Sequence, residues 1–405
     1  MVVAASTAII GGAEAQAQGC DTITDAIYSW WVEPVAVSDG PYTWVGSIDS
    51  TGVNHVTRLD CITGTSAGVP LGSGEVDDHN PAAVALAPHR SDLLVFYAEH
   101  DEDPVIRWRT IDRSTLAASV EHELNFGGTT PVTYAQPLVY GDRVVLLTRQ
   151  GESWVYMISD DWGGSWTPPR TLVDSGDEGQ CYITSQADPA DPAIVHAAFY
   201  CHPVNSAYDD VNYLRLHLDS GAVTGMSGNV LGDLDTVGGP AVDPAALDVA
   251  ISPSAGWRVR IFDLGFVQGR PAIPFAVWDA DPNPAALANY RVKVWTGTAW
   301  VTDSWQVPSG PEFGYTPAVH YLGGLALSTS GMLLSSRKDA ATGDWVVEQW
   351  AFDGSTFTLV SEVDRSQTRL IRPRAVEGPG IARMVYQRVP VWATFADWES
   401  DLLLR

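Results

Sequence analysis

Apolar residues in this chain come in short bursts. "SDLLVFYAEH", "GDRVVLLTRQ", "SWVYMISDD", "AIVHAAFYC", "NYRVKVWTG", "GMLLSSRKD", "DWVVEQWAFDG" and "IARMVYQRV" are rich in β-branched and aromatic residues. Each apolar segment is about 5–8 residues long, which suits strands. Gly, Asp, Asn and Pro punctuate the segments and supply turn chemistry. No stretch keeps the period of a long amphipathic helix. The bursts recur as a loose unit of strand, turn, strand, turn and an aromatic-rich strand. Units begin near Pro81, Pro137, Gln180, Leu247, Pro317 and Ile371, with another before Asp60. A spacing of about 40–60 residues is that of four-stranded propeller blades. The pattern predicts an all-β chain: a seven-bladed β-propeller of four-stranded antiparallel blades, one domain over residues 20–405. Each blade has two apolar faces to cover, and closing the ring protects the sheet edges. The final "WATFADWESDLLLR" is expected to close it by pairing near "YSWWVEPVAV".

One blade carries "SDDWGGSW", Ser159 to Trp166, which matches the Asp-box pattern Ser-x-Asp-x-Gly-x-Ser/Thr-Trp. Ser159 and Asp161 are placed to hydrogen-bond the turn, and Gly163 takes the backbone position that other residues resist. This is a fold staple with no chemistry of its own.

The formal charge of −26 changes the picture of partners. Lys293 and Lys338 are the only lysines. Phosphate binding needs a basic footprint, so no nucleic acid partner is expected. No run of about 18 apolar residues occurs, so no membrane helix and no membrane partner are expected. An anionic substrate would need a local basic pocket against the global field. Residues 1–19 read as the tail of a secretory signal, with an apolar run followed by Ala-x-Ala triplets. Secretion and an oxidising compartment are expected, and the 4 cysteines agree. Cys20 and Cys61 could staple the N-terminus. Cys181 and Cys201 fall opposite each other in a hairpin turning near residue 191. They suit either a cross-strand disulfide or a structural zinc completed by His202 or His217.

Of 9 histidines, His79 and His100 bracket one hairpin, "VDDHNPAAVALAPHRSDLLVFYAEH". The start of one strand and the end of the next lie side by side in a hairpin, so both imidazoles belong at one mouth of one blade. Two neighbouring imidazoles can divide proton donor and acceptor roles near neutral pH.

The run "DDHNPAAVAL…LLVFYAEHDEDPVIRWR", "TYAQPLVYGDRVVLLTRQ", "SDDWGGSW" and "IVHAAFYCHPVNSAYDDVNYLRL" resembles the seven-bladed β-propeller polysaccharide lyases that cleave ulvan, families 24 and 25, and related propellers with Asp-box repeats. The likeness is clearest over residues 75–220. It implies that His79 and His100 are the family's paired histidines and Tyr134 its tyrosine. Arg149 then matches the arginine that meets the substrate carboxylate. Asn80 and Arg107 are expected as further substrate contacts. The "YCHP" stretch departs from the family's Asp-Gly-His-Pro pattern, so substrate subsites that differ from the family's are expected.

A uronate lyase removes the proton on C5, beside a carboxylate, and expels the O4 oxygen. An arginine fork on that carboxylate stabilises the charge that develops. His79 or a tyrosinate would be the base, and Tyr134 or His100 the acid, each worth about 10²–10⁴ in rate. The resemblance therefore implies a secreted monomeric lyase acting by β-elimination on an anionic, ulvan-like rhamnose–glucuronate polysaccharide. Catalysis would need no cofactor, and a structural zinc or calcium ion would be compatible. A sialidase-type hydrolase would need an arginine triad and a Tyr/Glu pair, which the sequence does not assemble. A non-catalytic glycan-binding propeller is the other alternative.

Overall fold

Turns between successive apolar segments are short, so each strand pairs antiparallel with its neighbour in sequence. The computed structural model describes Cys20 and residues 22–175, 179–202, 210–254, 256–279, 288–309 and 323–405. Seven such sheets form a seven-bladed β-propeller. Blade I starts with Ala36–Asp39, blade II with Ala83–Leu86, blade III with Val132–Tyr140 and blade IV with Gln180–Ala187. Blade V starts with Trp257–Ile261, blade VI with Gly324–Leu327 and blade VII with Arg369–Ala375. These first strands are the inner ones. Their small and branched side chains, such as Ala83, Ala85, Ala326 and Ile371, are buried between blades.

Two expectations need correction. The unit placed near Leu247 is not the start of a blade: Asp248–Ile251 pairs with the third strand of blade IV, Val211–His217. The fourth strand, Ala222–Thr224, reaches only Arg215 and Leu216, and Asp248–Ile251 takes the edge it leaves at Val211–Tyr213. The start near Pro317 and the segment 1–19 lie outside the described residues.

The ring closes through Thr22–Ile23, which pairs with Asp397–Leu404 as the outermost strand of blade VII. The "YSWWVEPVAV" segment does something else. It runs down the centre of the ring and meets every blade. Val35 accepts from Gly46 of blade I at 2.8 Å, Pro34 from Val84 of blade II at 3.0 Å, and Trp31 from Gln136 of blade III at 2.8 Å. Glu33 binds Thr184 of blade IV at 3.0 Å and Arg374 of blade VII at 2.7 Å. Trp30 packs on Phe262 of blade V and lies against Gly324 of blade VI, where any side chain would collide with its ring. Its residues Trp30, Trp31 and Val32 join the largest apolar cluster of the core. Burying three large apolar side chains contributes about 1.5–3 kcal/mol each, so a plug is more favourable here than an edge strand.

Cys20 is disulfide-bonded to Cys61, which fixes the closing strand to blade I. Cys181 and Cys201 are directly opposed in register and also form a disulfide. Both thiolates are therefore taken, and the zinc alternative with His202 or His217 is corrected. The imidazole of His217 instead meets the Thr224 hydroxyl at 3.1 Å, and His202 pairs with Gln180 through the strand ladder. In the Asp box, Ser159 donates to Asp161 at 2.8 Å and Gly163 has φ +85°.

Candidate active site

The loop before blade II places two acids and an imidazole in a row, Asp77, Asp78 and His79. The Asp77 carboxylate is shared between two imidazoles. One oxygen accepts the backbone N–H of His79 at 2.8 Å and also pairs with His79 Nδ1. The other oxygen meets His100 Nδ1 at 2.9 Å. One carboxylate thus orients two imidazoles, which stack with centroids 4.3 Å apart and planes 20° from parallel. With both Nδ1 atoms held, proton exchange falls to Nε2 of each ring. Phe395, from a turn of blade VII, meets both rings edge-on. The hairpin geometry thus brings His79 and His100 together, as the sequence spacing implies.

Burial alone would raise the Asp77 carboxyl, but hydrogen bonds from His100 and His79, and their charge, hold it well below the usual carboxylate range. Burial alone would lower the His79 imidazole. The Asp78 charge and the Asp77 hydrogen bond outweigh it, and its pKa is raised. Asp78 is itself fixed by Arg372 at 2.6 Å, a fully buried pair.

Blade III supplies the next two groups. Thr133 pairs with Arg149 across the first two strands, and the register then shifts before Gln136. At this bulge Tyr134 adopts φ +65°, a region non-glycine residues rarely occupy. The Thr148 hydroxyl supports the bulge by donating to the Thr133 carbonyl at 2.9 Å. Tyr134 lies 6.0 Å from His79 and 6.5 Å from His100, centroid to centroid. The Arg149 guanidinium lies 4.9 Å from the Tyr134 ring centroid and 5.2 Å from that of Tyr182. It is 2% exposed, and its Nε and Nη1 have no hydrogen-bond acceptor among the described residues. Buried donors of a permanent cation without an acceptor mark a place prepared for an anion. Asp101 lies 3.9 Å from Arg149 and 3.2 Å from His100 Nε2, joining the two blades.

His79, Tyr134, Tyr182 and Arg372 line a cavity of about 130 Å³, and Arg149 packs over the Tyr134 and Tyr182 rings of that lining. Tyr200, Arg260 and the plug residues Ser29, Trp30 and Trp31 complete the lining. Arg260 stacks on Trp30 and Trp31 at 5.7 and 5.3 Å. The cavity is thus a local basic, aromatic site in a strongly acidic chain.

Two expected contacts are not brought there. Asn80 is buried in its loop, with its amide 3.5 Å from the Glu75 carbonyl. Arg107 sits on the third strand of blade II and pairs with Asp103 at 2.7 Å and Glu99 at 3.8 Å. Tyr182, Arg260 and Arg372 escaped sequence reasoning. Each lies on the first, inner strand of its blade, as Tyr134 does, and that shared strand was the available signal. Asp77, His79 and His100 also lie close enough to ligate a metal. Yet the shared Asp77 carboxylate already accounts for the geometry of both rings through hydrogen bonds.

No protein-family model and no curated protein matches the chain. Among solved structures, it is similar to a polysaccharide lyase of family PL25, an ulvan lyase, bound to -[GlcA(1-4)Rha3S]-. The TM-score is 0.73 at 14% identity, covering 95% of this chain and 94% of that one. The same lyase without the saccharide matches equally. Polysaccharide lyase Uly1 matches with a TM-score of 0.58 at 13% identity, over 91% of this chain and 89% of that one. At such identity the likeness establishes the fold: this chain has the propeller architecture that these lyases share.

Proposed function

We propose that the chain is a secreted polysaccharide lyase that cleaves a uronate-bearing, rhamnose–glucuronate polysaccharide by β-elimination. The observation that carries this reading is His79 and Tyr134 lining one cavity with the Arg149 guanidinium over the Tyr134 ring, two of its donors lacking acceptors among the described residues. In a bound uronate the carboxylate takes the Arg149 fork. This lowers the energy of the C5 carbanion as the base removes H5. His79 Nε2 and the Tyr134 hydroxyl divide the remaining work: one accepts the C5 proton and the other donates to the departing O4. The C4–O4 bond breaks, a C4–C5 double bond forms, and no water enters. His100 keeps the His79 ring in place by stacking, and Asp77 keeps both tautomers fixed. Two disulfides suit an exported protein.

The test is ultraviolet absorbance from unsaturated uronate ends, with ulvan, glucuronan and a rhamnose–glucuronate gum offered separately. Absorbance should rise on at least one, and His79→Ala and Arg149→Ala should abolish the rise. Retained glycan binding with no rise on any polymer would leave a binding propeller instead. The pH profile separates the two proton roles. If His79 is the base it must be neutral, so its raised pKa makes the rate climb with pH through and above the ordinary histidine range. If it is the acid, the rate falls over that interval.

A further inference from the structure

A second cleft lies on the outer flank of blades IV and V, with a volume of about 390 Å³. Blade V builds most of it. Lys293 and Trp295 are two residues apart on Ala288–Trp295, so they share a face, and Trp295 is directly opposite Trp300 on the next strand. The two indoles lie 5.6 Å apart at 58°, and Trp300 is braced edge-on by Tyr213 of blade IV at 5.3 Å. Asp248 and Ser227 from blade IV complete the wall.

The charges in this cleft are unequal. The Asp248 carboxylate is engaged by the Met226 and Ser227 backbone N–H groups at 2.7 and 3.4 Å. Lys293 has neither an ion pair nor a hydrogen bond among the described residues. Partial burial lowers its pKa, the sign of a cation short of compensation. The chain has 49 acidic residues against 23 lysines and arginines. A half-buried ammonium without an ion pair among the described residues is out of place in such a chain unless an incoming anion supplies the charge. Flat indole faces beside it suit the C–H face of a pyranose.

We propose that this cleft is a second glycan subsite. It takes an acidic sugar of the polysaccharide, the pyranose ring on Trp295 and Trp300 and the carboxylate or sulfate on Lys293. The proposal rests on the lyase reading for its polymer, and its test is independent of turnover. A site remote from the cavity holds a long chain while the cavity works on another part of it, which raises the effective concentration of cleavable bonds.

The experiment uses the full chain carrying His79→Ala, run through gels containing a sulfated rhamnose–glucuronate polymer, its desulfated form or its carboxyl-reduced form. Adding Lys293→Gln should weaken binding to the native polymer about fivefold to tenfold, and Lys293→Arg should restore it. Trp295→Ala should weaken binding on all three polymers. Loss of the Lys293 effect on one treated polymer names the acid group that Lys293 meets. In the active background, Lys293→Gln should raise KM on the polymer severalfold, with kcat unchanged and short oligosaccharides unaffected. Equal binding by Lys293→Gln and its parent on the native polymer, with each folded by thermal melting, would overturn the subsite even if the lyase is active. A Lys293-dependent shift with no turnover on any polymer would keep the subsite and remove the lyase reading.

Discussion

At the scale of single residues, Asp77 decides what the two imidazoles can do. Each of its oxygens holds one Nδ1. An amide in its place offers a single acceptor oxygen, so one ring must give up its tautomer or turn. Asp77→Asn is therefore expected to lower kcat by about 10²–10³ while KM moves little, because in the proposed reaction the uronate meets Arg149 rather than Asp77. The same change removes one of the charges that raise the His79 pKa, so the pH limb attributed to His79 should move toward acid. A steady-state pH series checks both. An unchanged limb would mean that another group titrates. Arg149→Lys keeps the charge and loses the fork, and kcat/KM should fall at least about tenfold.

Elements explain why the site was partly legible. The positions of His79, His100 and Arg149 follow from hairpin arithmetic, since strand starts and strand ends meet at one mouth. The opposed cysteines follow in the same way: Cys181 and Cys201 pair across a regular ladder. The bulge at Tyr134 was not legible. It depends on the plug and on blade IV, whose Trp31 and Ile183 carbonyls both accept from Gln136 just beyond it, at 2.8 and 3.0 Å. "DVAIS" after Leu247 is a short apolar burst like an inner strand, yet it pairs at the edge that the short fourth strand of blade IV leaves. Arg107 alternates correctly with Trp108, but alternation cannot say which strand of a blade faces the axis. At Tyr134 the two roles can be separated. Tyr134→Phe keeps the ring over Arg149 and removes only the hydroxyl, so activity should fall about 10²–10⁴ with the melting temperature held. Tyr134→Ala should also lower stability, by roughly 3 kcal/mol, because it empties a buried aromatic position. Equal melting temperatures for the two variants would mean that the ring contributes nothing to packing.

The whole molecule is organised around its plug, and the plug carries an electrostatic cost. Glu33 of the plug and Asp263 lie 2.7 and 3.8 Å from Arg374, and Glu377 feels the charge of all three. One arginine cannot neutralise three carboxylates in a poorly solvated channel. Burial raises the Glu33 carboxyl against the pull of Arg374. Burial, with the Glu33 charge, pushes Asp263 up to about 7. Burial, with Glu33 and Asp263, pushes Glu377 up to about 8. Between the ordinary carboxylate range and about 8 these three carboxyls therefore hold more protons in the folded chain than in the unfolded chain, so their contribution to stability falls as pH rises through that window. His79 adds to the same trend, since its raised pKa contributes stability at low pH that is lost as the ring deprotonates. Asp77 acts oppositely: its depressed pKa stabilises the fold above the ordinary carboxylate range and is lost in stronger acid. The melting temperature should therefore peak in mild acid, decline toward pH 9, and drop sharply in strong acid. Calorimetry across that range checks the curve. Glu377→Gln removes one of the competing charges and should flatten the alkaline decline while leaving the acid limb in place. An alkaline slope unaltered by that substitution would mean that the channel carboxylates are already relieved by solvent, and that the decline belongs to His79 alone.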